Sequence, residues 1–359
     1  MQYNFSSMRL YQIDLFRFIA AISVLLFHYT FRGFASDNMS ILDFPELGKI
    51  FRYGYLGVDL FFIISGFVII LSIEKSNLSK FIQSRIIRLY PAYWFCLTIT
   101  FLTMVFFGHP YYSATVPQYM VNLTMFQRFL GIEHIDGVYW TLLVEMKFYF
   151  LIALYLIIRS QKNISIDYFI YTWLAVSLLP LIIDFEASLP LRAIYFILGL
   201  NFSHYFIAGM LFYKIHTTGN KPFYLTGLAL SLVLAVINGI KYLDLQYVYL
   251  KVHLSPVVVS AVIVAIFAMM YMVSAGWLNR ANSPSFLKIG VLTYPLYLIH
   301  QNTGFIIFNN LGHTVNKYLL LTVTIVFMIS VSYIINRFIE VPLARFLKRK
   351  TDPLVKKTF

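Results

Sequence analysis

Ten predominantly apolar runs of 18 to 21 residues follow one another at 12–31, 55–73, 89–108, 138–158, 167–184, 193–213, 223–240, 255–275, 288–308 and 318–338. A helix rising 1.5 Å per residue crosses the roughly 30 Å hydrocarbon core in about 20 residues, and inside that core the backbone must satisfy its own hydrogen bonds. The chain therefore reads as an all-α polytopic membrane protein of about ten transmembrane helices in one bundle. Of its 359 residues 60% are hydrophobic and only 12% charged, which excludes an ordinary soluble domain. The first run holds Asp14 and Arg17 and has no small-residue cleavage site after it, so it reads as an uncleaved span.

A net charge of +13 invites a nucleic-acid reading, but the cations sit between apolar runs. With the N-terminus inside, 18 Lys and Arg fall in the inner segments and 8 in the outer ones. That asymmetry follows the positive-inside rule and puts both termini in the cytoplasm, with the lipid bilayer rather than nucleic acid as partner. Cys96 is the sole cysteine, so neither an intramolecular disulfide nor a cysteine metal cluster can form. No repeat or appended soluble domain is visible. Residues 1–345 read as one transmembrane domain and 346–359 as a basic cytoplasmic tail.

The stretch from Asp14 to His28 carries three groups that a lipid-facing helix should not carry. At ~100° per residue Arg17 and His28 differ by only ~20° around the axis, and Asp14 lies within ~40° of His28. Arg17 and His28 are ~16 Å apart along the axis, about the reach of an extended pantetheine arm. Alternating the direction of the spans sorts the other polar residues by depth. Arg17, Arg85 and Arg88 gather at the inner face; His28, Asp59 and Glu145 gather toward the outer half; His300 falls near the middle of its run.

An ionisable group within a span is costly unless it is paired or faces a cavity, which makes each of these a functional candidate. Three arginines at an inner entrance suit the phosphates of a nucleotide thioester. A histidine beside carboxylates suits general-base chemistry on a hydroxyl, with Asp59 or Glu145 orienting the ring. Plainer readings stand beside these. His28 as a bundle hydrogen bonder, Arg85 and Arg88 as topology signals, Asp59 as a helix N-cap and Glu145 with Lys147 as structural charges are the alternatives. Trp140, Tyr139, Tyr90, Tyr93 and Trp94 read as interfacial belt, and Asn201 and His204 as glue between helices. His109, His134, His253 and His313 show no metal-ligand spacing, and no metal is expected.

Six motifs in order along the chain carry a resemblance: IDLFRFIA at 13–20 followed by His28, GVDLFFIISGF at 57–67, RIIRLYPAY at 85–93, WTLLVEMKFY at 140–149, YPLYLIH at 294–300, and Glu340 to Pro342. Together they resemble the acyltransferase-3 family of integral-membrane acyltransferases, which includes bacterial O-antigen, exopolysaccharide and Nod-factor O-acetyltransferases. The resemblance implies a ten-helix core in the bacterial plasma membrane, acetyl-CoA as acyl donor and a hydroxyl of a glycan or lipid-linked glycan as acceptor. It implies that Arg17 and His28 are essential, that Arg85 and Arg88 belong to the coenzyme A site, and that Glu145 and Asp59 are functional. Asp14 joins the donor side, while Trp140, Tyr294, His300 and Glu340 are further candidates from the matching motifs. Some family members carry an SGNH hydrolase-like domain that this sequence lacks, so a stand-alone enzyme or a separate acyl-accepting partner is expected. Other acyl groups such as succinyl, or a transporter with a polar permeation path, remain the competing readings.

Overall fold

A computed structural model of the chain describes residues 9–36, 39–74 and 76–356, with side chains through Thr351. Lys75 and the end of the basic tail, which entered the charge count, lie outside the described residues. Helix α1, Tyr11–Phe27, continues through a π-helical turn at His28–Arg32 into Gly33–Ala35. There follow α2, Gly57–Ile73; α3, Leu78–Phe107; α4, Trp140–Lys162; α5, Ile166–Leu178; and α6, Leu189–Ile197. The chain ends with α7, Ser203–Thr218; α8, Pro222–Leu250; α9, Pro256–Ser274; α10, Thr293–Leu311; α11, Lys317–Ile335; and α12, Val341–Lys356. Among the described residues seven helical runs are long and apolar enough to cross a membrane. The protein is an all-α, multi-pass membrane protein.

Several expected spans are drawn differently. Helix α3 starts at Leu78, where the Asn77 side chain accepts from the Lys80 amide at 2.9 Å, eleven residues before the expected start. Its first three turns carry Lys80, Arg85 and Arg88, cations that signal a loop in a hydropathy profile yet are good helix formers. The run at 193–213 is not one helix. Gly199, at φ +60°, sits between α6 and α7 in the left-handed region that glycine enters without penalty. The run at 288–308 is split in the same way, into a short helix at Phe286–Gly290 and then α10. Helix α11 passes through a π turn, Asn336–Glu340, into α12, and the helix runs across the expected boundary at 345.

The bundle is knit where backbones come close. Helices α2 and α7 make the most extensive contact: a Cβ on Gly209 would meet the Phe67 amide at 2.7 Å and Gly66 Cα at 2.9 Å. Small residues on both helices allow that approach, the usual device for joining helices where lipid supplies no hydrophobic drive. Helix α1 packs on α2 and α10, and α10 packs on α3. One face each of α1, α2, α3, α4 and α10 thus converges on a common interior, and the polar residues lie there.

Candidate active site

Two adjoining chambers occupy that interior. The smaller, about 120 Å³, is lined by Arg17 from α1, Ser65 from α2, Arg88 from α3, Glu145 from α4 and Tyr294 from α10. The larger, about 290 Å³, is lined by His28, Asp59, Trp140, His204 and Gln301, among others. Val58 and Tyr297 belong to both walls. A side-chain partition therefore separates the arginine chamber from the histidine chamber. Tyr297 is held by its hydroxyl, which accepts from Thr141 at 3.1 Å.

In the arginine chamber two guanidinium groups share the space with a carboxylate whose hydrogen bonds go elsewhere. Arg17 has its nearest counter-ion, Asp14, at 4.0 Å, and Asp14 is itself held by Arg9 at 3.1 Å. Among the described residues neither Arg17 nor Arg88 donates a side-chain hydrogen bond to protein. Glu145 lies within electrostatic reach of both, but its carboxylate accepts from Ser65 Oγ at 2.7 Å and from the Tyr149 hydroxyl. Glu340 is fixed by Asn336 at 2.9 Å in the π turn and reaches Arg88 only through space. Tyr294 donates to the Leu89 carbonyl at 3.1 Å, fastening α10 to α3 beside Arg88. Guanidinium forks with free donors in a confined space match the oxygens of an anionic ligand.

The histidine chamber is organised by a pair of imidazoles that nearly touch. Nδ1 of His28 lies 2.8 Å from the Val24 carbonyl and 3.1 Å from Nε2 of His300. Nδ1 of His300 lies 2.8 Å from the Tyr297 carbonyl. Carbonyl oxygens only accept, so both Nδ1 atoms carry protons and Nε2 of His300 accepts from His28. In the neutral ring this accounting leaves Nε2 of His28 unprotonated, and no hydrogen bond among the described residues engages it. The π turn that begins at His28 inserts an extra residue just beyond it, a device common at functional sites.

The sequence-predicted groupings are redrawn by this geometry. His28 and Asp59 do share a chamber. Glu145, expected in the outer half with them, sits instead with Arg17 and Arg88, where Ser65 and Tyr149 hold its carboxylate. Arg85 is also separate. Its guanidinium stacks 5.4 Å from the Tyr149 ring and 5.7 Å from Phe81, on the wall of a lateral apolar groove of about 670 Å³. Asp14 does not line the arginine chamber; it stands behind Arg17, against the bare backbone of Gly290. Asp59 makes no cap hydrogen bond in the first turn of α2, and its carboxylate pairs instead with Tyr205. Lys147 does not pair with Glu145 but lies 3.9 Å over the Phe196 ring.

Tyr93 and Tyr139 are not belt residues, being fully buried with ring centroids 5.3 Å apart. Trp140 half-opens into the histidine chamber, its ring 5.4 Å from Phe202. Two contributions escaped the sequence reading. The orienting partner of His28 is His300 with the Val24 carbonyl, not a carboxylate. Asp136, fully buried, accepts from the Val138 amide at 3.1 Å and the Asn302 amide at 3.0 Å. It thereby ties the turn that launches α4 and Trp140 to α10. An Asp before Gly137 at the head of an apolar run is a cap signal, and could have been found.

The profile of the acyltransferase-3 family, described as an acyltransferase domain, matches residues 10–337. The chain belongs to that family. The matched range contains every residue of both chambers. A curated relative from Acidianus two-tailed virus, named "Putative acetyltransferase ORF330", is 30% identical over 128 residues. That alignment covers 34% of this chain and 38% of the relative, so the chain spans little more than a third of the length of the curated protein it matches. No solved structure matches the chain.

Proposed function

We propose that the protein is an O-acetyltransferase of the bacterial plasma membrane, moving acetyl from cytoplasmic acetyl-CoA to a hydroxyl of a cell-surface or lipid-linked glycan. The observation that carries this reading is the Nε2 of His28, which has no hydrogen bond among the described residues, in a chamber that adjoins Arg17 and Arg88. The arginine end faces the cytoplasm, in keeping with the distribution of Lys and Arg and with both termini inside. The chamber beside Arg17 and Arg88, at about 120 Å³, is smaller than a site for a whole drug-sized ligand. It suits the pantetheine arm, with the diphosphate held by the guanidinium groups.

In the reaction, Nε2 of His28 takes the proton of the acceptor hydroxyl as its oxygen attacks the thioester carbonyl. The new C–O bond forms, the C–S bond breaks, and the proton passes from imidazolium to the departing thiolate. While positive, the ring holds its Nδ1 proton against the Val24 carbonyl and His300. In the covalent variant of this step the same nitrogen attacks the thioester carbonyl, the C–S bond breaks and thiolate leaves, and the acceptor oxygen then takes the acetyl group as the N–C bond breaks and the hydroxyl proton goes to the thiolate; this predicts a labelled protein and ping-pong kinetics.

Purified protein incubated with acetyl-labelled CoA and extracted surface glycan tests the proposal, with label followed into glycan and into protein. Label should reach the glycan in wild type, and Arg88→Ala should raise the apparent donor KM about ten- to hundredfold, the worth of hydrogen bonds to a charged group. Replacing acetyl-CoA by succinyl-CoA asks which acyl group is carried. Intact protein that binds no CoA would overturn the reading.

A further inference from the structure

His204 is fully buried in the second position of α7, and it lines the histidine chamber. Neither of its ring nitrogens has a hydrogen-bond partner among the described residues. Its apolar side is accounted for by the Tyr205 ring, 4.3 Å away. It does not join helices: next to it, Ser203 Oγ and Ser177 Oγ do so at 2.7 Å. Buried polar atoms are paired in folded proteins because an unpaired one forfeits its hydration with nothing in return. An imidazole with two unpartnered nitrogens offers one donor and one acceptor in different directions, and a hydroxyl can pair with either.

We infer that His204 is a binding residue for a second, non-reacting hydroxyl of the acceptor, so that the chamber selects polyols over simple alcohols. The inference rests on the proposed transfer to a hydroxyl. The walls support it: Trp140 and Phe202 line the chamber with aromatic rings suited to the apolar side of a sugar, while Gln246 and Gln301 bring neutral amides. With one hydroxyl on His204 and another at Nε2 of His28, the register of the acceptor is fixed, and so is the position that is acylated. A site built to hydrogen-bond a substrate hydroxyl discriminates against the analogue lacking it, because its own polar groups are then left unpaired.

The test uses two small probes, trans-1,2-cyclohexanediol and cyclohexanol, with the full chain in detergent. In wild type, kcat/KM with acetyl-CoA should favour the diol about tenfold. His204→Leu should lower kcat/KM for the diol more than for cyclohexanol, so that the preference disappears, and His204→Gln should restore part of it. Independently of turnover, protein labelled with 13C at histidine Cε1 should show one resonance, identified by its loss in His204→Leu, that shifts saturably with the diol and not with cyclohexanol. Such a shift without turnover would sustain the His204 site and sink the proposed reaction. A diol preference that survives His204→Leu, or a resonance that no diol concentration moves, would overturn the inference.

Discussion

Replacing His28 with alanine should lower kcat for acyl transfer by about two to four orders of magnitude, the usual contribution of a general base, while donor binding stays within a few-fold of wild type. The separation follows from the two-chamber arrangement. His28 lines only the histidine chamber, and the groups proposed to hold the donor line the other. His300→Leu should lie between the two, losing about tenfold in kcat. That change removes one of two acceptors for the Nδ1 proton and leaves the Val24 carbonyl in place, so the tautomer is weakened rather than lost. Donor binding by equilibrium dialysis and single-turnover transfer, measured on the same monodisperse preparations, check both. A His28→Ala protein that binds CoA and still turns over near the wild-type rate would remove His28 from the chemistry.

How far this site was legible in the sequence depends on which kind of information each residue carries. The stripe on α1 was readable because helical phase is a local property: Asp14, Arg17 and His28 follow from 100° per residue, and the π turn starts only at His28, too late to spoil the phase. Grouping across spans was not. Glu145, expected in the outer half beside His28 and Asp59, lies instead with Arg17 and Arg88, where it accepts from Ser65 on α2 and from Tyr149 one turn along its own helix. His300 was visible as a residue and invisible as a partner, since its meeting with His28 spans 272 positions. The break at Gly199 was hidden by hydropathy, which counts apolar residues and ignores the φ +60° that a glycine admits. The unpaired state of His204 could not be read at all, because pairing belongs to the packed interior.

The geometry of both chambers depends on how closely α2 and α7 approach, and this sets the second large expectation. Gly209→Val should destabilise the protein by about 3 kcal/mol or more, at the upper end of overpacking costs. Overpacking is tolerable when a flexible side chain can move aside. Here the atoms in the way are backbone: the Ile63 carbonyl, the Phe67 amide and Gly66 Cα. Those peptide groups belong to the hydrogen-bond ladder of α2, so α2 cannot yield locally without losing bonds that nothing in lipid replaces. The helices must separate instead. Such separation would displace Asp59 and Ser65 on α2 relative to His204 and Tyr205 on α7, so activity should fall even in molecules that remain folded. Gly209→Ala adds a single methyl and should cost less, giving a graded series. Thermal unfolding followed by loss of the monodisperse chromatographic peak reads the effect. A Gly209→Val protein with an unchanged transition would mean that α2 and α7 are not held in backbone contact, and that the chamber walls they supply are free to move apart.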